Sequence, residues 1–260
     1  MSTLIKITSK DNANIKEILS LQKSSKYRRE QGLFVLEGRR LCLDAVENNF
    51  TPEKVFISSS AKEKYQCIID DFSLCKEVYE VADSLFSKFS DTVNPQGILC
   101  IFKMPDVSVD NISTKGKYIA LENIQDPSNL GAISRTAEAF GIDGIIITKG
   151  SCDPYSSKSL RASMGALLRL PVYETDDLFY LFNEKNLTSY ASVVSGNAKS
   201  INELSFKEGC VAIIGNEANG ICNESLEKSD FLFTIPMSGK AESLNAAVAA
   251  SIIIWEMTRC

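Results

Sequence analysis

Four polar clusters each follow a short apolar run, the place where an α/β protein assembles a site at the carboxyl ends of its strands. The first is Glu122-Asn123-Ile124-Gln125-Asp126-Pro127-Ser128-Asn129-Leu130-Gly131, with Arg135 further along the following helix. Asn129 and Arg135 lie nearly two helical turns apart, and Arg135 falls in an otherwise apolar, buried-looking surface of Ile133, Ala137 and Phe140. The plain alternative is that Asn129 caps the helix and Arg135 pairs with Glu138 or another acid. A second cluster, Ser156–Ala166, carries Lys158, Arg161, Ser163 and Gly165 among small residues. Such residues permit close backbone approach, to another helix or to a ligand. The third runs Gly215-Asn216-Glu217-Ala218-Asn219-Gly220 directly after Ile213-Ile214. Its permissive glycines and exposed N–H groups suit gripping a small polar or adenine-like ligand by main-chain hydrogen bonds, and a tight turn is the bland reading. In the fourth, a strand ending at Ile235 is stopped by Pro236, and a polar turn through Ser238, Gly239 and Lys240 follows. A long helix is expected from about Glu242, with Ser243 and Asn245 as polar residues in an otherwise almost wholly apolar stretch.

What the chain lacks narrows the chemistry. It contains no histidine, which removes Ser-His-Asp hydrolysis, H-E-x-x-H metalloprotease chemistry and ordinary histidine zinc sites. Neither a G-x-G-x-x-G opening a helix nor a G-x-x-x-x-G-K-[ST] loop is present, so the third cluster is neither a dinucleotide fingerprint nor a P-loop. Eight cysteines form no C-x-x-C pair. No signal-like segment opens the sequence, and reduced thiols in a cytoplasmic protein are expected. No apolar run has the length of a membrane span; Val248–Trp255 is too short. The net charge of -5 is modest, yet residues 1–40 hold nine Lys or Arg against four Asp or Glu. A basic amino-terminal arm is compatible with nucleic-acid contact, or with a lysine-rich helix facing water.

Around these clusters the chain alternates strands and helices. Ser9 or Asp11 is the expected cap of a first helix with apolar face Ile15, Ile18 and Leu19. The basic segment Lys23–Arg29 leads to a strand at Leu33–Leu36 and a helix at Arg39–Glu47. Val55–Ile57, 66–69, Glu77–Val81 and Gly97–Phe102 read as strands and Asp83–Phe89 as a helix. Together residues 1–102 make a small α/β domain. Residues 103–117, with Pro105 and Gly116 and little pattern, are the expected linker. Beyond it, strands at Tyr118–Leu121, Ile145–Thr148, Tyr190–Val194, Val211–Ile214 and Phe231–Ile235 are expected. Helices at Leu130–Phe140, Ser156–Leu170, Asp177–Asn183 and Ser225–Lys228 separate them. Parallel strands joined by helices follow for residues 118–260.

Taken together, Asn129-x5-Arg135, Gly215-Asn216-Glu217-x2-Gly220 and Ile235-Pro236-Met237-x4-Glu242-Ser243-Leu244-Asn245 resemble the three ordered motifs of the SpoU/TrmH-type RNA 2′-O-ribose methyltransferases of the SPOUT superfamily. Arg161-Ala-Ser163-x-Gly165-Ala166 is similar to the element between the first two. More loosely, Asn14-Ile15-Lys16, Arg28 and Phe34-Val35-Leu36-Glu37-Gly38 resemble the ribosomal-protein-like RNA-binding extension of rRNA members.

The resemblance implies a parallel-sheet domain with a deep trefoil knot at its carboxyl-terminal segment, and a homodimer built through that domain. It implies S-adenosylmethionine as cofactor, no metal, and RNA as substrate, with large-subunit rRNA favoured over tRNA. Gly215, Asn216, Gly220, Ile235, Met237 and Leu244 would surround the cofactor. Glu217 would face cofactor or active site, Asn129 and Arg135 the ribose and phosphate, and Ser243 and Asn245 the reacting centre. Lys23, Lys26, Arg28, Arg29, Arg39, Arg40 and Arg161 would hold the RNA backbone. A guanidinium is always protonated, so Arg135 is expected to hold a phosphate and polarise the hydroxyl rather than serve as the base. A tRNA enzyme of the same superfamily and a non-catalytic ribosome-assembly protein are the rival readings.

Overall fold

A computed structural model describes residues 3–65, 72, 75, 77–194 and 198–259. The expected strand at 66–69 lies outside the described residues. The chain divides into two units, the first running to Pro105 and taking in Tyr155–Arg161, the second covering Asp106–Pro154 and the chain from Ala162.

In the first unit, β1 (Thr3–Ile7), β2 (Leu33–Glu37), β3 (Pro52–Ser58), β4 (Glu77–Val81) and β5 (Ile98–Lys103) form one sheet. Its order is β1-β4-β3-β5-β2. β1, β4 and β3 run parallel, and β5 joins β3 and β2 antiparallel. Helix α1 (Ala13–Lys23) buries Ile15, Ile18 and Leu21, with Leu19 only packing at the margin of the core. Each fully buried side chain of this size contributes about 1.5–3 kcal/mol. The cap of α1 is Asn12, whose side chain accepts from the Asn14 N–H, rather than Ser9 or Asp11; Ser9 instead accepts from the Asp11 N–H. The basic segment folds into a helix of its own, α2 (Ser25–Gln31), capped by Ser24 and closed by Gly32 at φ 63. α3 (Arg39–Glu47), α4 (Ser59–Lys64) and α5 (Asp83–Phe86) complete the unit.

The second unit carries seven strands: β6 (Lys117–Leu121), β7 (Gly144–Thr148), β8 (Val172–Thr175), β9 (Thr188–Ser192), β10 (Lys199–Ser200), β11 (Cys210–Ile214) and β12 (Phe231–Thr234). Their order is β10-β12-β9-β11-β6-β7-β8, and every pairing is parallel. Central β11 is buried at every position, as a strand covered on both faces must be. Between the strands lie α6 (Pro127–Ala139), α7 (Ser157–Ser163, whose residues up to Arg161 are grouped with the first unit), α8 (Ala166–Arg169), α9 (Leu178–Glu184), α10 (Asn223–Lys228) and α11 (Ala246–Thr258). The single helix expected over Ser156–Leu170 is two, because Met164 at φ 51 and Gly165 at φ 91 break it. Small residues there serve helix contact: a Cβ on Gly131 of α6 would meet Ala162 Cβ at 2.4 Å.

Helix α11 starts four residues later than the sequence suggests. Asn245 accepts from the Ala247 and Val248 N–H groups at 2.9 and 3.3 Å and is the N-cap, so Glu242-Ser243-Leu244 stays outside the helix, ahead of its first turn. Although α11 follows β12 near one side of the sheet, it packs on α6 and β11. The chain thus returns across β9 after β12, the course that a threaded carboxyl-terminal segment needs. Lys117 Nζ donates to the Met257 carbonyl and tethers the far end of the helix. Among the described residues no helix is long and apolar enough to cross a membrane, and no cluster of three or more metal-binding side chains occurs.

Candidate functional site

The site grows from the end of β11, where Ile214 gives way to Gly215. A Cβ on Gly215 would lie 2.2 Å from the Gly220 carbonyl carbon and 2.3 Å from the Ile221 nitrogen, so only glycine lets the loop fold back on itself. Asn216 and Gly220 then exchange backbone hydrogen bonds at 3.0 and 2.9 Å, with Gly220 at φ 67. Inside this tight loop the Asn216 side chain accepts from the Ala218 and Asn219 N–H groups. Its amide donates to the Asn123 carbonyl at 2.8 Å. The loop therefore leans on the β6–α6 connection.

Glu217 makes the second link. Its carboxylate accepts from Asn129 Nδ2 at 2.9 Å and from the Gln125 and Asp126 N–H groups, each at 3.3 Å. Partial desolvation pushes this carboxyl up, but the hydrogen bonds from Asn129 and the backbone N–H groups outweigh it and hold it below its ordinary value. Asn129 itself is 8% exposed, and its Oδ1 accepts from Asn245 Nδ2 at 3.1 Å. Both amide orientations follow from one fact. The first N–H groups of α11 need acceptors, so Asn245 turns its oxygen to them and its NH2 to Asn129. That leaves Asn129 Nδ2 as the donor to Glu217. Three side chains from three motifs form one directed chain. Asn129 lies inside α6 rather than at its cap, which is Asp126 accepting from the Ser128 N–H.

This chain borders a cavity of about 1040 Å³ lying wholly within the second unit. Gly215, Asn216, Glu217, Gly220, Ser243, Leu244 and Asn245 all line it. Apolar wall comes from Ile214, Leu226, Phe231, Leu232 and Leu244, and charge from Lys199, Glu217 and Asp230. Burial first, then the charges of Glu217 and Asp126, push the thiol of nearby Cys152 up to about 12, which disfavours its thiolate form.

Several expected residues lie elsewhere. Ile235 and Met237 are half-buried and do not line the cavity. Arg135 is exposed rather than buried, because it sits on the solvent side of α6, whose buried residues include Asn129, Leu130, Ile133, Ser134 and Ala137. No carboxylate pairs with it among the described residues; Glu138 pairs with Arg169 at 2.9 Å instead. In the first unit Arg28 is 4% exposed. Its guanidinium donates to the Leu21 and Gln22 carbonyls at the end of α1, so it is a structural arginine and unavailable to an RNA backbone. Arg39 lies over the Tyr65 ring at 5.3 Å, Lys26 approaches Glu30 at 3.8 Å, and Arg161 approaches Asp91 at 3.8 Å. Lys23, Arg29 and Arg40 are exposed. The sequence reading missed Ser192–Val194, Ala198, Lys199 and Asp230–Leu232 of the cavity wall. Their signal is the pairing of β9 with both β11 and β12 and of β10 with β12, which local sequence does not carry.

Comparison with known proteins gives a consistent picture. The profile of the SpoU rRNA Methylase family matches residues 116–255, and that of the MRM3-like substrate binding domain matches residues 12–100. A Bacillus subtilis protein named 23S rRNA (guanosine(2553)-2'-O)-methyltransferase RlmP is 28% identical, over 96% of this chain and 98% of that one. A Synechocystis protein described as an uncharacterized tRNA/rRNA methyltransferase is 31% identical, over 99% and 95%. The crystal structure of an AdoMet-bound rRNA methyltransferase from Sinorhizobium meliloti superposes with a TM-score of 0.86 at 28% identity, covering 98% of this chain and 97% of that one.

Proposed function

Because the chain belongs to the SpoU rRNA Methylase family, we propose that it transfers a methyl group from S-adenosylmethionine to a ribose 2′-hydroxyl of large-subunit, 23S rRNA. The observation that carries this is the Asn129–Glu217–Asn245 chain at the wall of the cavity.

The cavity fits the cofactor by its own chemistry. S-adenosylmethionine supplies an activated methyl on a cationic sulfur. Apolar Leu226, Leu232 and Leu244 suit a flat base, the main chain around Gly215 and Gly220 offers hydrogen bonds, and the carboxylates of Glu217 and Asp230 favour a cation. Lys199 suits a carboxylate. Ser243 and Asn245, just ahead of α11 and at its cap, lie beside the reacting centre. Asn129 orients the ribose, its amide fixed by its two partners. The exposed, carboxylate-free guanidinium of Arg135 takes a phosphate of the target strand and polarises the hydroxyl, consistent with a group that cannot lose its proton. Positioning of this kind supplies much of the rate.

In this reading residues 1–102 bind RNA and 118–260 perform the transfer, joined through 103–117. Support comes from the substrate-binding profile over residues 12–100 and from exposed Lys23, Lys26, Arg29 and Arg40. Ile235 and Met237 contact the cofactor only if the turn after β12 folds inward. The active form is a homodimer through α11, where Val248 and Trp255 are exposed and Trp255 meets Phe140 edge to face at 5.5 Å. Cys42, Cys100, Cys152, Cys210 and Cys222 are free thiols, in keeping with the reducing cytoplasm.

The test offers the purified protein labelled S-adenosylmethionine with rRNA from a strain lacking its gene and, separately, bulk tRNA. A labelled 2′-O-methyl nucleoside in 23S rRNA is the expected product. Label in tRNA alone would replace the substrate, and failure to bind the cofactor would overturn the activity. Sedimentation of the wild type and Trp255→Glu checks the dimer, which the substitution should dissociate.

A further inference from the structure

Glu122 does not line the cavity. It follows β6 directly, and its N–H extends the sheet by donating to the Ile214 carbonyl at 2.9 Å. Its side chain reaches the far end of the glycine loop. There Oε2 accepts from the Cys222 N–H at 3.0 Å and Oε1 from the Ser225 hydroxyl at 2.8 Å. Helix α10 needs an outside acceptor, since Cys222 caps it with no side-chain hydrogen bond. Ser225 is 3% exposed, so water does not readily substitute for the carboxylate at that hydroxyl.

The next residue holds the near end of the same loop. Asn123, at φ 56, accepts from the Asn216 amide at 2.8 Å. Two consecutive residues at the end of β6 therefore grip Gly215–Ile221 from both sides. The loop residues facing the cavity, Asn216 to Ile221, hang between those two anchors, and Leu226 on α10 directly follows the second.

We propose that Glu122 is a positioning residue for S-adenosylmethionine, fixing the Cys222 end of the loop so that its main chain and Leu226 face the cavity in a binding-ready form. This rests on reading the cavity as the cofactor site. Glu122 touches neither the cavity nor the Asn129–Glu217–Asn245 chain, so its loss loosens cofactor binding and leaves the transfer step intact once the cofactor is bound.

The test uses the full chain, with S-adenosylmethionine binding followed by calorimetry and methyl transfer to rRNA followed at steady state. Glu122→Ala should raise Kd and KM for S-adenosylmethionine about tenfold while kcat at saturating cofactor stays within about twofold. Glu122→Gln should recover most of the affinity, because its amide oxygen still accepts from Cys222 and its NH2 can donate to the Ser225 hydroxyl. Ser225→Ala, removing one contact, should raise KM about threefold. Should Glu122→Ala fail to fold, Ser225→Ala carries the test. Unchanged KM in the alanine variants that fold, or a fall in kcat without a rise in KM, would overturn the proposal. A wild type that binds no S-adenosylmethionine would instead overturn the functional reading itself, so the two failures are distinct.

Discussion

In the first unit Arg28 is 4% exposed and spends its guanidinium on the carbonyls that end α1. In the second, Arg135 stands in solvent on α6 with no carboxylate against it among the described residues. Both arginines belong to segments that the sequence marks as functional. The first lies in the most basic part of the chain, the second in an apolar stretch. What separates them is the supply of acceptors. A helix end offers unpaired carbonyls, and a nearby arginine is absorbed by them. The outer face of α6 gives Arg135 no such partner among the described residues, since Glu138 is taken by Arg169. Counting charge therefore picks out Arg28, whose hydrogen bonds are spent within the chain, whereas counting satisfied hydrogen bonds picks out Arg135.

The contrast is sharpest in a pair of alanine variants. Arg135→Ala should lower the single-turnover methylation rate about 100-fold, with the thermal midpoint unchanged because the side chain is exposed. Arg28→Ala should do the reverse. It costs about 2–3 kcal/mol of stability, since charge-assisted hydrogen bonds to buried carbonyls are lost. Cofactor affinity should stay at the wild-type value. Denaturant melts alongside single-turnover rates check both, and a catalytic loss in Arg28→Ala without a stability loss would break the comparison.

A smaller effect tests the glycine loop after β11. Gly215→Ala places a methyl 2.2 Å from the Gly220 backbone, so the loop must open. The expected result is about a tenfold weaker Kd for S-adenosylmethionine by calorimetry, with the sheet intact by circular dichroism.

The smallest concerns Glu217. Its carboxyl is held below the ordinary value of 4.5 in the folded protein, so the unfolded chain binds the proton more readily. The stabilisation this provides is complete above that ordinary value and is lost as pH falls through the lower folded one. Relative to Glu217→Gln, the wild type should have its full advantage in thermal midpoint near neutrality and lose it progressively below pH 4.5. A constant difference from neutral pH to well below 4.5 would mean that the Asn129 contact does not discriminate carboxylate from amide.

Local sequence carried much of this protein. Apolar runs closed by Pro236, Gly141 and Gly215 marked strand and helix ends, and alternating elements after Tyr118 were enough to expect an all-parallel sheet. The polar clusters at strand ends contained Asn129, Glu217 and Asn245, which the fold joins by hydrogen bonds. Helix α3 lies at Arg39–Glu47, where the pattern placed it. These features depend on neighbours within a few residues, and a linear chain displays them.

Tertiary structure decided the rest, because burial and partner choice are set by residues far apart in sequence. Pairing of β9 with β11 and β12 brought Ser192–Val194 and Phe231–Leu232 to the cavity wall. Packing on α6 and β11 fixed where α11 lies, and capping by Asn245 delayed its start to Ala246. The carbonyls at the end of α1 claimed Arg28, while the solvent face of α6 released Arg135. Sequence specified which groups were available for chemistry, and the fold determined which of them were left unspent.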